Sequence, residues 1–174
     1  MFKSIQTSNI NSIKDGTSLP SRQSLDFALA EFSSAIEMLQ AAKLVDSKAL
    51  GKGFVNHALD EYRHTEFFRR LLKSSKNTEL RFDPRLSIAL GFINPEKFLF
   101  EANDLTQFTA FVAINEASAL RMFSKIRPAI EGAPNELKNE IDDIIHDETD
   151  HLRTFTENSS KDTKYSNNFV YEML

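Results

Sequence analysis

The phrase Asp-Glu-x-x-His occurs twice in this 174-residue chain, as Asp60-Glu61-Tyr62-Arg63-His64 and as Asp147-Glu148-Thr149-Asp150-His151. Residues three apart lie on one face of an α-helix. Each copy therefore directs one carboxylate and one imidazole to the same point in space. Two such helices, with one inward Glu from each of two others, make a binuclear metal site inside a four-helix bundle. The phrase thus demands a particular fold, and the rest of the chain can be tested against it.

Apolar periodicity supplies four long helices. Leu25, Ala28, Leu29, Phe32, Ala35, Ile36 and Leu39 recur at helical spacing, so helix one is expected from Ser21 or Ser24 to about Val45. Helix two follows after a short link, from about Ala49 to Lys73, and the short link makes the pair antiparallel. The stretch from Ser74 to Asn103 holds Pro84, Gly91, Pro95 and two apolar runs. A structureless loop of that length is unusual in a compact domain, so a crossover with one or two short helices is expected. Helix three is expected from Asn103 or Asp104 to about Ile126, with Gln107 completing a capping-box-like start. Helix four is expected to begin with Pro134 as its first helical residue and to run to about Thr156. Residues 1–20 read as a flexible, polar lead-in, 21–157 as the bundle, and 158–174 as a tail. Phe169-Val170-Tyr171 suggests that this tail docks on the bundle or on a partner.

The two phrases fall in helices two and four, so helices one and three must each supply a Glu. Helix three offers Glu116, alone among Phe108, Phe111, Val112, Ala113, Ala119, Leu120 and Phe123. A lone carboxylate in so apolar a helix is costly to bury without a partner. Helix one offers Glu31 and Glu37. Glu116 precedes Glu148 by 32 residues and Glu31 precedes Glu61 by 30, whereas Glu37 is only 24 away, so Glu31 is preferred. The expected ligands are Glu31, Glu61, His64, Glu116, Glu148 and His151. Their four carboxylates balance two divalent cations. Imidazole suits iron and carboxylate suits hard ions, so two iron ions are expected, and the set also accepts manganese or a mixed pair.

Asp60 and Asp147 each precede a ligand Glu and are placed to accept the second N–H of a His on the opposite helix. His57 lies four residues before Glu61 on the same face, while the matching position before Glu148 is Ile144. His57 is read first as a polar residue near the bundle end, with a seventh ligand or a proton shuttle as alternatives. His146 lies off the ligand face and is expected in solvent.

Composition narrows the function. A formal charge of −4 gives no reason to expect general nucleic-acid binding. The absence of Cys removes disulfides, thiolate zinc sites and Cys-held iron centres. No apolar run approaches the roughly 20 residues of a membrane span and no secretory signal is evident, so a cytoplasmic location without membrane association is expected. The 15 Phe residues read mainly as core filler.

From about Ser24 to Thr156 the pattern resembles the ferritin-like di-iron carboxylate superfamily. The resemblance implies an all-α, ferritin-like four-helix bundle: two antiparallel helix pairs joined by the long crossover. Bacterioferritin, rubrerythrin and aldehyde-deformylating oxygenase are similar in carrying Glu-x-x-His in both halves. Without Cys the chain cannot hold a rubredoxin-like iron centre. It also has no Met in helix two to suggest a bacterioferritin-type haem site. The favoured expectation is a di-iron oxidase or oxygenase that activates dioxygen to oxidise a small, apolar organic substrate. Phe27, Phe32, Phe111, Met122 and Phe123 are expected to line its pocket. A ferroxidase or iron-storage protein and a rubrerythrin-like peroxide reductase are the alternatives. A homo-oligomer, such as a dimer, and an external electron donor are the expected partners.

Overall fold

The computed structural model describes residues 21–74 and 80–161. The lead-in and the residues beyond 161, including Phe169-Val170-Tyr171, lie outside the described residues. Among the described residues there are helices and no strands: α1 (Ser21–Leu44), α2 (Lys48–Ser74), α3 (Arg85–Ala89), α4 (Leu99–Ala102), α5 (Leu105–Ala129) and α6 (Asn135–Lys161). α1 packs chiefly on α2 and α5 chiefly on α6, so two helical hairpins face each other. The layout is that of a ferritin-like bundle, with α3 and α4 on the crossover.

Three boundaries differ from those read in the sequence. α5 continues past Ile126 to Ala129 and takes Pro128 into its last turn. Proline costs the helix one hydrogen bond there, and exposed Ser124, whose carbonyl loses it, can turn to water. Pro134 stands before α6 rather than as its first residue, and its carbonyl accepts from Lys138 N at 3.2 Å. α6 also runs to Lys161, beyond the boundary expected at 157. The start of α5 is as expected, with the Asp104 carboxylate accepting from Gln107 N at 2.8 Å.

The crossover lies along α1. α3 packs near the start of α1 and the end of α2, where Leu25, Leu29 and Leu72 meet Leu80, Phe82, Leu86, Leu90 and Phe92. Gly91 ends α3 at φ 77°, donating to Ile88 O at 3.0 Å while Phe92 N reaches Ser87 O at 2.8 Å. These two bonds form a Schellman stop, which favours a residue without a Cβ. α4 sits at the other end, with Phe100 against Phe54 and Phe108. Its first N–H, from Leu99, is accepted by the buried Glu37 carboxylate at 2.9 Å.

The interior is divided into two apolar plugs. One gathers Phe27, Phe67, Phe68, Phe123, Ile126, Ile141 and Ile144. Its Phe27, Phe68 and Phe123 rings have centroids 5.0–5.4 Å apart, a favourable separation for aromatic pairs. The other plug gathers Met38, Phe54, Ala58, Phe108, Val112 and Phe155. On each long helix one plug lies before, and the other after, the height of the Glu residues. Polar side chains at that height are held from both sides.

Candidate metal centre

Between the plugs, α1, α2, α5 and α6 bring Glu31, Glu61, His64, Glu116, Glu148 and His151 together, all buried. Two overlapping groups form. Glu31, Glu61, His64 and Glu148 offer donor atoms within 4.8 Å of one another, and so do His57, Glu61, Glu116 and His151. Glu61 belongs to both groups.

His57 is not a polar residue at the bundle end. It is 3% exposed, its Nε2 lies 2.7 Å from Glu61 Oε1 and 3.4 Å from Glu116 Oε1, and its ring stacks on His151 at 3.8 Å. The reason is the helical period: one turn before Glu61, on the same face, is still inside the bundle. Ile144, the matching residue in the second half, is packed in the apolar core. His146 is exposed and 4.0 Å from Asp150, as its position off the face implies.

The aspartates cross between hairpins. His64 Nε2 stands 3.2 Å from Asp147 Oδ2, and His151 Nε2 stands 3.2 Å from Asp60 Oδ2. With Nε2–H donated to an aspartate, Nδ1 of each ring is left to face the carboxylates. Nδ1 of His64 is 3.0 Å from Glu148 Oε1 and 3.3 Å from Glu31 Oε2. Nδ1 of His151 is 3.6 Å from Glu116 Oε2 and 3.8 Å from Glu61 Oε1. Arg63 holds the two aspartates together, with Nη2 2.5 Å from Asp60 Oδ1 and 3.1 Å from Asp147 Oδ2. Sequence reasoning missed this clamp. Its one trace is a cation inside the first phrase where the second has Asp150.

The electrostatics show why such a cluster needs cations. Burial, then the charges of Glu31 and Glu116, push the Glu61 carboxyl well above its usual range. Burial and the neighbouring Glu116, Glu61 and Glu31 do the same to Glu148. Burial also opposes charge on Glu116, but the neighbouring Glu148 carboxyl, His57 and His151 outweigh it and hold Glu116 well below its usual range. Burial opposes the charge on His64, yet hydrogen bonds to Asp147 and Glu31 and the charge of Glu61 push its pKa up to about 10. The metal-free cluster thus keeps protons to offset crowded negative charge, and divalent ions would displace them.

The donors also fit metal ions by what they lack. Nδ1 of His151, Glu116 Oε2 and both carboxylate oxygens of Glu148 are buried without a hydrogen-bond partner of acceptable geometry. Buried polar atoms are rarely left in this state. Here they converge, with oxygen and imidazole donors that suit iron or manganese.

A cavity of about 340 Å³ reaches the carboxylate side of the cluster. Glu31, Glu61, Glu116 and Glu148 line its inner end, and Phe92, Phe111, Ile114, Ala119 and Met122 form apolar wall. Of the five residues expected to line a pocket, Phe111 and Met122 do so. Phe27 and Phe123 fill the core plug instead, and Phe32 packs edge-on to Phe82 at 5.8 Å. Phe92 comes from the crossover, whose path no helical period could reveal. A second cavity, of about 320 Å³, lies between α2 and α6 and ends on His57, Asp60 and His151.

An all-helical bundle that gathers Glu and His at mid-length defines the ferritin-like carboxylate class. The chain belongs to the rubrerythrin family, whose model matches residues 34–158. That stretch includes His57 and the proposed ligands except Glu31, which precedes it. No curated protein and no solved structure compared with the chain gives a match.

Proposed function

We propose that the chain is a di-iron oxidase or oxygenase that uses dioxygen to oxidise a small, largely apolar organic molecule. In this reading Glu31, Glu61, His64, Glu116, Glu148 and His151 hold the two ions, Asp60 and Asp147 orient the two histidines, and Arg63 fixes the aspartates. Bound iron would supply the redox chemistry that these side chains lack. The observation that carries the reading is the cavity of about 340 Å³ whose apolar wall leads to all four carboxylates. Its size is in the range of small-molecule sites. Phe111, Ile114 and Met122 would desolvate a substrate and hold it against the Glu face, with Ser34, Asn115, Ser118 and Arg121 as the polar part of the lining.

Membership of the rubrerythrin family favours a second reading, a peroxide reductase supplied by an external electron donor. Such a reaction needs no organic substrate in the cavity. One experiment separates the two. The iron-loaded protein is tested for oxygen uptake with a panel of apolar aldehydes, amines and acyl compounds, and for hydrogen-peroxide consumption with a reduced dye as donor. Substrate-dependent oxygen uptake is expected. Ala119→Leu, which narrows the cavity, is expected to lower kcat/KM for the organic substrate at least about tenfold while iron stoichiometry stays at wild type. Peroxide turnover without any substrate-dependent uptake would transfer support to the second reading. Absence of bound iron in the wild type would sink both.

A further inference from the structure

The two donor groups are unequal. One has His64 with Glu31, Glu61 and Glu148; the other has both His57 and His151 with Glu61 and Glu116. We propose that His57 is a seventh metal ligand, so that one ion position is nitrogen-rich and fills before the oxygen-rich one. This rests on the di-metal reading above and adds to it an order of loading set by one side chain.

Three observations carry it. His57 is as buried as the ligand glutamates, and its Nε2 points to the same Glu61 oxygen that faces His151 Nδ1, while the two rings face opposite oxygens of Glu116. The rings of His57 and His151 are stacked at 3.8 Å and nearly parallel, at 12°. The α2/α6 cavity of about 320 Å³ ends on these two rings and gives this position its own approach from outside, separate from the cavity on the carboxylate side. Imidazole donors raise affinity for divalent iron, cobalt, nickel and zinc, while an oxygen-rich set suits manganese. Replacing His57 by Ile144 at the equivalent place in the other half removes that advantage from the other position. The pair of ions is therefore built to be asymmetric, with a mixed pair as one natural outcome.

Co(II) titration of the metal-free protein tests this, read by calorimetry and by the visible d–d bands, which report the ligand field. Wild type is expected to take two equivalents in two events of different affinity. His57→Gln is expected to weaken the tighter event at least about tenfold and change its spectrum. His64→Gln is expected to weaken the other event and leave the first. Two events in His57→Gln with wild-type affinity and spectrum would overturn the assignment, as would loss of the weaker event alone. Uptake of no Co(II) by wild type would instead overturn the di-metal reading itself. A crystal structure of wild type at one equivalent of Co(II) decides independently of how the variants fold. Anomalous density beside His57 and His151 supports the order, and density beside His64 alone overturns it.

Discussion

Glu31 and Glu37 lie six residues apart on α1, and both are buried, at 5% and 2% exposure. Only Glu31 joins the Glu and His clusters. Glu37 caps the crossover helix through Leu99 N, in a site where burial, offset by that hydrogen bond and helped by Glu101, raises its pKa to about 7. A carboxyl whose folded pKa is raised binds a proton more readily in the native state. Its contribution to stability is then fully present below the unfolded pKa, near 4.5, and is lost as pH rises through about 7. Glu37→Gln mimics the protonated form and keeps an acceptor for Leu99. The variant is expected to match wild type at pH 4 and to exceed it at pH 8, by up to about 3 kcal/mol. Paired urea melts at the two pH values check this, and a constant difference across them would show that Glu37 is not the titrating group. Spacing in the sequence separated these two glutamates, because ligands must match in height between helices. It could not show what Glu37 does, since its partner lies 62 residues away, at the start of a short crossover helix.

At the scale of an element, the helix stop after α3 and the body of α2 make two glycines behave in opposite ways. Gly91 sits at φ 77° and closes the Schellman turn, while Gly53 lies within α2 with nothing near an added Cβ. Gly91→Ala is expected to cost about 1–2 kcal/mol, because a side chain is strained in that conformation. Gly53→Ala is expected to stabilise by up to about 1 kcal/mol, as alanine is the better helix former. Urea midpoints of the two variants should therefore move in opposite directions. Gly91 also precedes Phe92, which walls the cavity, so its loss should loosen that wall. The long helices were legible because 3.6-residue periodicity is written locally in residues such as Leu25, Ala28 and Phe32. The crossover was legible only as a necessity of length. Its apolar residues pack on α1 by long-range fit, which no period encodes. The Arg63 clamp escaped for the same reason: it joins Asp60 on its own helix to Asp147 on another.

For the whole molecule, metal and stability should be linked. An ion that binds the folded chain and not the unfolded one stabilises it by mass action, about 2.7 kcal/mol at one hundred times Kd. For a domain of this size that corresponds to a rise in Tm of roughly 5–10 °C. Fe(II) under anaerobic conditions, or Mn(II), is expected to produce such a rise, and excess chelator to reverse it. Glu116→Ala, which removes a buried cluster carboxylate, should lose most of it. An unchanged Tm with metal in excess would count against any binding at the cluster.

Each donor group draws side chains from both hairpins. Glu31, His57, Glu61 and His64 come from α1 and α2, and Glu116, Glu148 and His151 from α5 and α6. An ion seated in either group is therefore a cross-link between two halves of a chain that has no cysteine to make one. The halves otherwise meet through packing and through a polar belt of Asp60, Arg63, His64, Asp147 and His151, continued by the Arg70–Glu140 pair. In the metal-free state the weak seam of the molecule should run between the two hairpins. Amides flanking that seam would be the first to exchange with solvent, and loading the centre would close the seam as a rivet closes two plates.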